Sequence, residues 1–214
     1  RPGWFIVPKA LLHLSSYQLD NPGAFPDSVH RVVPTLSIDS GLVFERPARF
    51  FGRDVTQTLE PRLFYARTPY RDQSRIPVFD TTVADFNFAQ LFSENTFIGN
   101  DRIADVNQLT AAAVSRLIDP DSGAERLRFA VGQRIYFSEQ RVAIPGVPPR
   151  TDERSDLLLA ASGDLGRGMS FDTGLQYSFE NSKIPRVSLL WRYLPPDGRI
   201  LNVGLRYRRD ELGQ

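Results

Sequence analysis

From residue 170 to residue 207 the side chains change character at almost every step. Phe171, Thr173, Leu175, Tyr177 and Phe179 alternate with Ser170, Asp172, Gly174, Gln176 and Ser178. Val187, Leu189, Trp191 and Tyr193 alternate with Arg186, Ser188 and Arg192, with Leu190 the single break. Leu201, Val203, Leu205 and Tyr207 alternate with Asn202, Gly204, Arg206 and Arg208. A period of two sends successive side chains to opposite faces of an extended strand, whereas a helix needs a period of 3.6. The pattern therefore commits this region to antiparallel strands with one apolar and one polar face.

The same signature recurs upstream. Leu36, Ile38, Leu42 and Phe44 oppose Thr35, Ser37, Asp39 and Gly41. Val55, Leu59, Leu63 and Tyr65 oppose Thr56, Thr58, Glu60 and Arg62. Leu127, Phe129, Val131, Ile135 and Phe137 oppose Arg126, Arg128, Gly132 and Arg134. Weaker alternation marks residues 4–14, 107–118 and 156–162. The expectation is an all-β chain of about nine strands, each near the roughly 9 to 11 residues that a tilted strand needs to cross a bilayer. No apolar run approaches the roughly 18 residues of a membrane helix. The mean hydropathy of −0.29 does not exclude a membrane β-barrel, whose alternating faces average to a polar composition.

The connections sort by length. Compact Gly-, Pro- and Asp-rich turns are expected at 46–54, 119–124, 164–168 and 195–198, and mostly longer segments at 20–30, 66–106, 138–154 and 181–185. Short turns on one side and long loops on the other match outer-membrane barrels, with the short turns periplasmic. Trp4, Trp191 and Tyr193 fall near one set of strand ends and Tyr65, Phe137 and Tyr207 near the other, as two interfacial girdles would. Aromatics also suit strand ends in soluble β-proteins, so the pattern alone leaves a soluble sandwich open.

Several blocks, in order, resemble the lipopolysaccharide-assembly outer-membrane protein family LptD, also called the organic solvent tolerance (OstA) family. They are Val33-Pro34-Thr35-Leu36-Ser37-Ile38-Asp39-Ser40-Gly41-Leu42, Gln57-Thr58-Leu59-Glu60-Pro61-Arg62-Leu63-Phe64-Tyr65, Thr68-Pro69-Tyr70, Pro77-Val78-Phe79-Asp80 and Asp101-Arg102-Ile103-Ala104-Asp105-Val106-Asn107-Gln108-Leu109-Thr110. Gly132-Gln133 with Tyr136-Phe137, and residues 201–210, complete the series. The resemblance implies that all 214 residues form part of one outer-membrane barrel of about 26 strands. A periplasmic jelly-roll domain, the first and last barrel strands and the domain-linking cysteines would lie elsewhere in the parent. It further implies transport of lipopolysaccharide into the outer leaflet without covalent catalysis. The implied partners are outer-membrane lipid, an outer-membrane lipoprotein plug (LptE-like) and a periplasmic bridge protein reached through the jelly roll. The rival assignments are another porin or channel and a soluble β-sandwich binding module.

Recognisable reaction chemistry is absent from the sequence. With no cysteine there is no thiol nucleophile or Cys-ligated metal, and His13 and His30 stand outside any Gly-x-Ser-x-Gly or His-Glu-x-x-His pattern. No metal site and no cofactor is expected, and the chain is read as no enzyme. The 26 basic residues, of which only Lys9 and Lys183 are lysine, are balanced by 25 acidic ones, so no nucleic-acid partner is expected. Asp119-Pro120-Asp121-Ser122-Gly123 lacks the glutamate that closes a calcium loop and reads as a hairpin turn. Gly163, Gly166 and Gly168 read as strand and turn glycines.

Candidate substrate contacts are the polar residues expected to face a lumen: Glu60, Arg62, Arg116, Arg134, Asp172, Gln176, Arg192 and Arg206. Their donors suit phosphate and sugar groups, and packing within a charged lumen is the competing use. Segment 66–106 carries Phe79, Phe86, Phe88, Leu91, Phe92 and Phe97, too apolar for a solvated loop. It is expected to fold into or over the barrel mouth, with a helical turn near 86–93.

Overall fold

The computed structural model describes residues 3–20, 23 and 25–209. Nine long strands form one antiparallel sheet, joined almost entirely to their neighbours in sequence: β1 (Gly3–Gln18), β2 (Ser28–Phe50), β3 (Arg53–Thr68), β6 (Val106–Ile118), β7 (Glu125–Tyr136), β8 (Leu157–Gly166), β9 (Met169–Ser178), β10 (Lys183–Tyr193) and β11 (Leu201–Arg208). Two-residue strands β4 (Thr82–Val83) and β5 (Phe97–Ile98) pair separately within the connection from β3 to β6. The sheet is open, with β1 and β11 as its edges. No helix among the described residues is long and apolar enough to cross a membrane, a test that does not bear on spanning strands.

The alternation survives through every ladder. Phe44 pairs with Leu59, Thr110 with Arg134, Leu159 with Leu175 and Leu189 with Leu205. One face, here called outer, carries Trp4, Leu36, Leu42, Leu59, Phe129 and Leu205, all 46–72% exposed. The opposite, inner face carries the polar partners, and the long connection between β3 and β6 folds onto it. The connections after β1, β3 and β7 lie at one end of the sheet together with the short 179–182, and the remaining hairpin turns lie at the other.

The first three strands depart from the expected length at 16, 23 and 16 residues. Segment 46–54 is mostly ladder: Arg46 faces Gln57, Pro47 faces Thr56 and Phe50 faces Arg53. Only Phe51 and Gly52 turn, with φ of 47° and 77°. Two successive positive φ values match the right-handed twist of the flanking strands, which lets so short a hairpin close. At 119–123 the Asp119 carboxylate accepts the amides of Asp121 and Ser122, making the expected turn. Those amide bonds, that of Ser122 foremost, and the Arg126 guanidinium hold its carboxyl well below the usual carboxylate range. Segment 181–185 is shorter as a loop than expected, because β10 starts at Lys183 and absorbs Pro185 in a register shift.

Candidate functional site

The inner face divides into a covered part and a bare part. Covering it is the connection 69–105, whose apolar residues have no other place to escape water. Leu91 is fully buried, and Phe92 and Phe97 pack on the cluster of Phe64, Ala66, Ala104 and Val106. A single 3-10 turn, Gln90–Phe92, delivers Leu91 and Phe92 to the sheet, as the helical turn expected near 86–93. Gly132 on β7 makes the approach feasible: a Cβ there would lie 2.7 Å from Leu91 Cδ1 and 3.1 Å from Ala112 Cβ.

Polar anchors tie this segment to six strands. At β1 and β2, Lys9 Nζ and Ser37 Oγ each donate to Glu94 Oε1 at 3.0 Å. On β3 the Arg62 guanidinium lies 3.9 Å from the Phe92 ring centroid while its Nε donates to Asp39 at 2.8 Å. On β6, Thr110 Oγ1 donates to the Leu91 carbonyl at 2.6 Å. On β7, Arg134, 1% exposed, donates to the carbonyls of Gln90 and Leu91. On β10, Arg186 Nη2 reaches both oxygens of Asp85 at 2.9 and 2.7 Å.

A polar knot fixes the segment at the loop end. Gln73 accepts from Arg31 Nη1 at 2.8 Å and from the Ile103 amide at 3.0 Å, and returns a bond to the Ile103 carbonyl. Asp101 accepts the amides of Phe79 and Asp80 and the Thr81 hydroxyl. Asp105 accepts the amides of Arg141 and Val142, which joins the neighbouring connection 137–156 to the same knot. Burial pushes the Asp101 carboxyl up, but the amides and the hydroxyl outweigh it and hold the group below its usual value. Burial likewise opposes ionisation of Glu94, and the bonds from Lys9, its own backbone and Ser37 overcome that and lower its pKa. Desolvation, with the nearby Arg31 charge adding to it against the pull of Asp101, brings the Arg102 guanidinium below its ordinary value.

All eight sequence-selected residues lie on the inner face by register, but they do not form one cluster. Glu60 and Arg116 pair at 3.3 Å, and Arg116 also meets Glu125 at 3.3 Å. Arg62 and Arg134 serve the inserted segment. Gln176 donates to Asp156 at 2.6 Å, and Arg192 to Asn202 at 3.2 Å. Asp172 and Arg206 are exposed on the bare part of the face. An open polar cavity of about 740 Å³ sits where covered and bare parts meet, lined by Phe86, Arg150, Arg154, Asp156, Gln176 and Glu180 among others. Sequence reasoning did not select Arg31, Gln73, Asp101 or Asp105. Their partners lie far away in the chain, and only the ordered block around Asp101 drew notice.

The whole chain, residues 1–214, matches the family model LptD, described as LPS transport system D. The chain belongs to the LptD family. Among curated LptD relatives, the LPS-assembly protein LptD of Burkholderia thailandensis is 51% identical over 213 residues, covering 97% of this chain and 27% of the relative. That of Aromatoleum aromaticum is 50% identical over 213 residues, covering 99% of this chain and 27% of its own length. That of Azoarcus sp. is 49% identical over 213 residues, covering 98% and 26%. This member of the LptD family thus spans about a quarter of the length of the curated relatives it matches.

Proposed function

We propose that these strands are part of the wall of an outer-membrane barrel that moves lipopolysaccharide into the outer leaflet, as the names of its LptD relatives suggest. The observation that carries this reading is the separation of faces: an apolar outer face across nine strands, backed by a charged inner face. A glycolipid with phosphates and sugars needs the second surface, and the bilayer needs the first. In this reading turns are periplasmic and loops extracellular, and the 214 residues belong to one barrel domain whose jelly roll and closing strands lie elsewhere in the parent. The lipoprotein plug and the periplasmic bridge act through the complete protein.

Arg62 and Arg134 then hold the covered part and Glu60 pairs with Arg116, while Asp172, Gln176, Arg192 and Arg206 offer donors and charge to a passing headgroup. An open polar cavity of about 740 Å³ lies beside Gln176. Selectivity rests on geometry and electrostatics, and the chain is assigned no catalytic step. The test places a photo-crosslinking residue at Gln176 or at Leu175 in the full-length parent in cells. Lipopolysaccharide adducts at Gln176 that vanish when the supply of new lipopolysaccharide stops are expected. Adducts confined to Leu175 would mean ordinary contact with surrounding lipid and would overturn the reading.

A further inference from the structure

The outer face is not uniformly convex. An open trough of about 520 Å³ crosses it from β3 to β9, floored by Ala113, Ser115 and Ala161 and walled by Leu59, Phe129 and Leu159. Its volume falls within the roughly 300 to 1,000 Å³ of small-ligand sites. The hydroxyls beside it are turned away: Ser115 Oγ donates to the Thr58 carbonyl at 2.9 Å, and Thr173 Oγ1 to the Ser188 carbonyl at 3.0 Å. The trough therefore offers hydrocarbon to whatever fills it.

At its turn-side corner stands a basic group. Gln57 Nε2 donates to Ser115 Oγ at 3.4 Å, and Gln57 Oε1 receives Arg46 Nε at 2.9 Å and Nη2 at 2.7 Å. This holds the exposed guanidinium beside the trough through its Nε and Nη2. A cation fixed beside an apolar trough matches a molecule that joins a phosphate to hydrocarbon. Leu59, Ser115 and Phe129 lie nearer the turn ends of β3, β6 and β7 than the loop ends, which in a barrel with periplasmic turns is the inner-leaflet side.

We propose that this trough is a binding site for a phospholipid of the inner leaflet, with one acyl chain along Ala113, Ser115 and Ala161 and the phosphate on Arg46. The proposal rests on the outer face being the lipid-facing one, and its test separates the two claims. The full-length protein is reconstituted in phosphatidylethanolamine bilayers containing a trace of phosphatidylglycerol with a diazirine in its acyl chain, and labelled peptides are mapped. Segments 111–117 and 157–163 label more strongly than the outer-face control around Leu205. Arg46→Ala lowers trough labelling about fivefold, the worth of one basic group at an anionic membrane surface, and Arg46→Lys restores most of it. Ala161→Phe, which fills the floor and keeps the charge, also lowers it. Labelling no stronger in the trough than at Leu205, or unaffected by Arg46→Ala and Ala161→Phe, overturns the site while leaving the membrane reading intact. Labelling at neither place overturns both. Stronger labelling by lipopolysaccharide bearing the same diazirine than by the phospholipid reassigns the trough to the other leaflet and contradicts the proposal.

Discussion

Two parts of one inner face are treated differently by the same chain. Over β1 to β7 polar side chains hold the inserted segment: Lys9, Ser37, Thr110 and Arg134 all bond to residues 90–94, while Glu60, Arg116 and Glu125 pair among themselves. Over β8 to β11 Arg186 reaches that segment at Asp85, but Asp172 and Arg206 remain exposed, and Gln176 and Arg192 bond to Asp156 and Asn202. A run of polar inner-face residues thus has two uses that look alike in sequence. Where a connection is long and rich in phenylalanine, the strand beneath becomes its scaffold. Where connections are short, as at 179–182, the face stays available.

The contrast is broken most sharply by Arg134→Met. It strips the guanidinium from the carbonyls of Gln90 and Leu91, leaving them the Ser93 amide and the Thr110 hydroxyl, at about 1.5 to 3 kcal/mol for each charge-assisted bond lost. Hydrogen exchange across 88–93 should rise at least tenfold, while Arg192→Met leaves the same amides unchanged. Gly132→Val comes next, since its new side chain would meet Leu91 and Ala112 where a Cβ alone is already crowded. A cost of about 1 to 3 kcal/mol is expected for such overpacking, read as earlier proteolysis of segment 69–105 in the folded barrel.

Acid should loosen the covered part selectively. The Glu94 carboxyl lies below its usual 4.5 and that of Asp101 below its usual 3.8, so both are depressed in the folded state. Each contributes stability that is present above its unfolded value and lost as pH falls through the folded one. Protease cleavage within 80–101 should therefore be constant from neutral pH down to about 5 and increase below about 4, with Glu94→Gln removing part of that dependence. Arg186→Gln sets the lower limit of the series. Its partner Asp85 is 60% exposed, and the loss should be under about 1 kcal/mol, within the range of surface pairs.

Face assignment was legible in sequence because period-two alternation survives the ladder: Leu175 and Gln176 lie on opposite faces as their parity requires. The insertion of 69–105 was legible too, since Leu91, Phe92 and Phe97 demanded burial, although Phe79 of the same set stays 60% exposed. Strand length was not. Arg46, Pro47 and Arg49 look like turn chemistry, yet they pair across a hairpin whose closure depends only on Phe51 and Gly52 adopting positive φ. Nor was the division of Arg134 from Arg192 readable. Both are arginines at inner-face positions, and only the distant residues 90 and 91 decide that one becomes an anchor. The knot of Arg31, Gln73 and Asp101 was hidden for the same reason: Arg31 lies 42 residues from one partner and 70 from the other.

The central claim, a lipid-facing outer face and an inner face half sealed by its own loop, is tested most directly by single-cysteine accessibility. This segment contains no cysteine, so Thr110→Cys, Asp172→Cys and Leu175→Cys can be compared in the full-length protein. The account predicts rapid reaction of a polar maleimide at Asp172→Cys and protection at Thr110→Cys that Arg134→Met abolishes. At Leu175→Cys it predicts reaction only with a reagent that partitions into the bilayer. Equal reaction of the polar reagent at all three positions would contradict it.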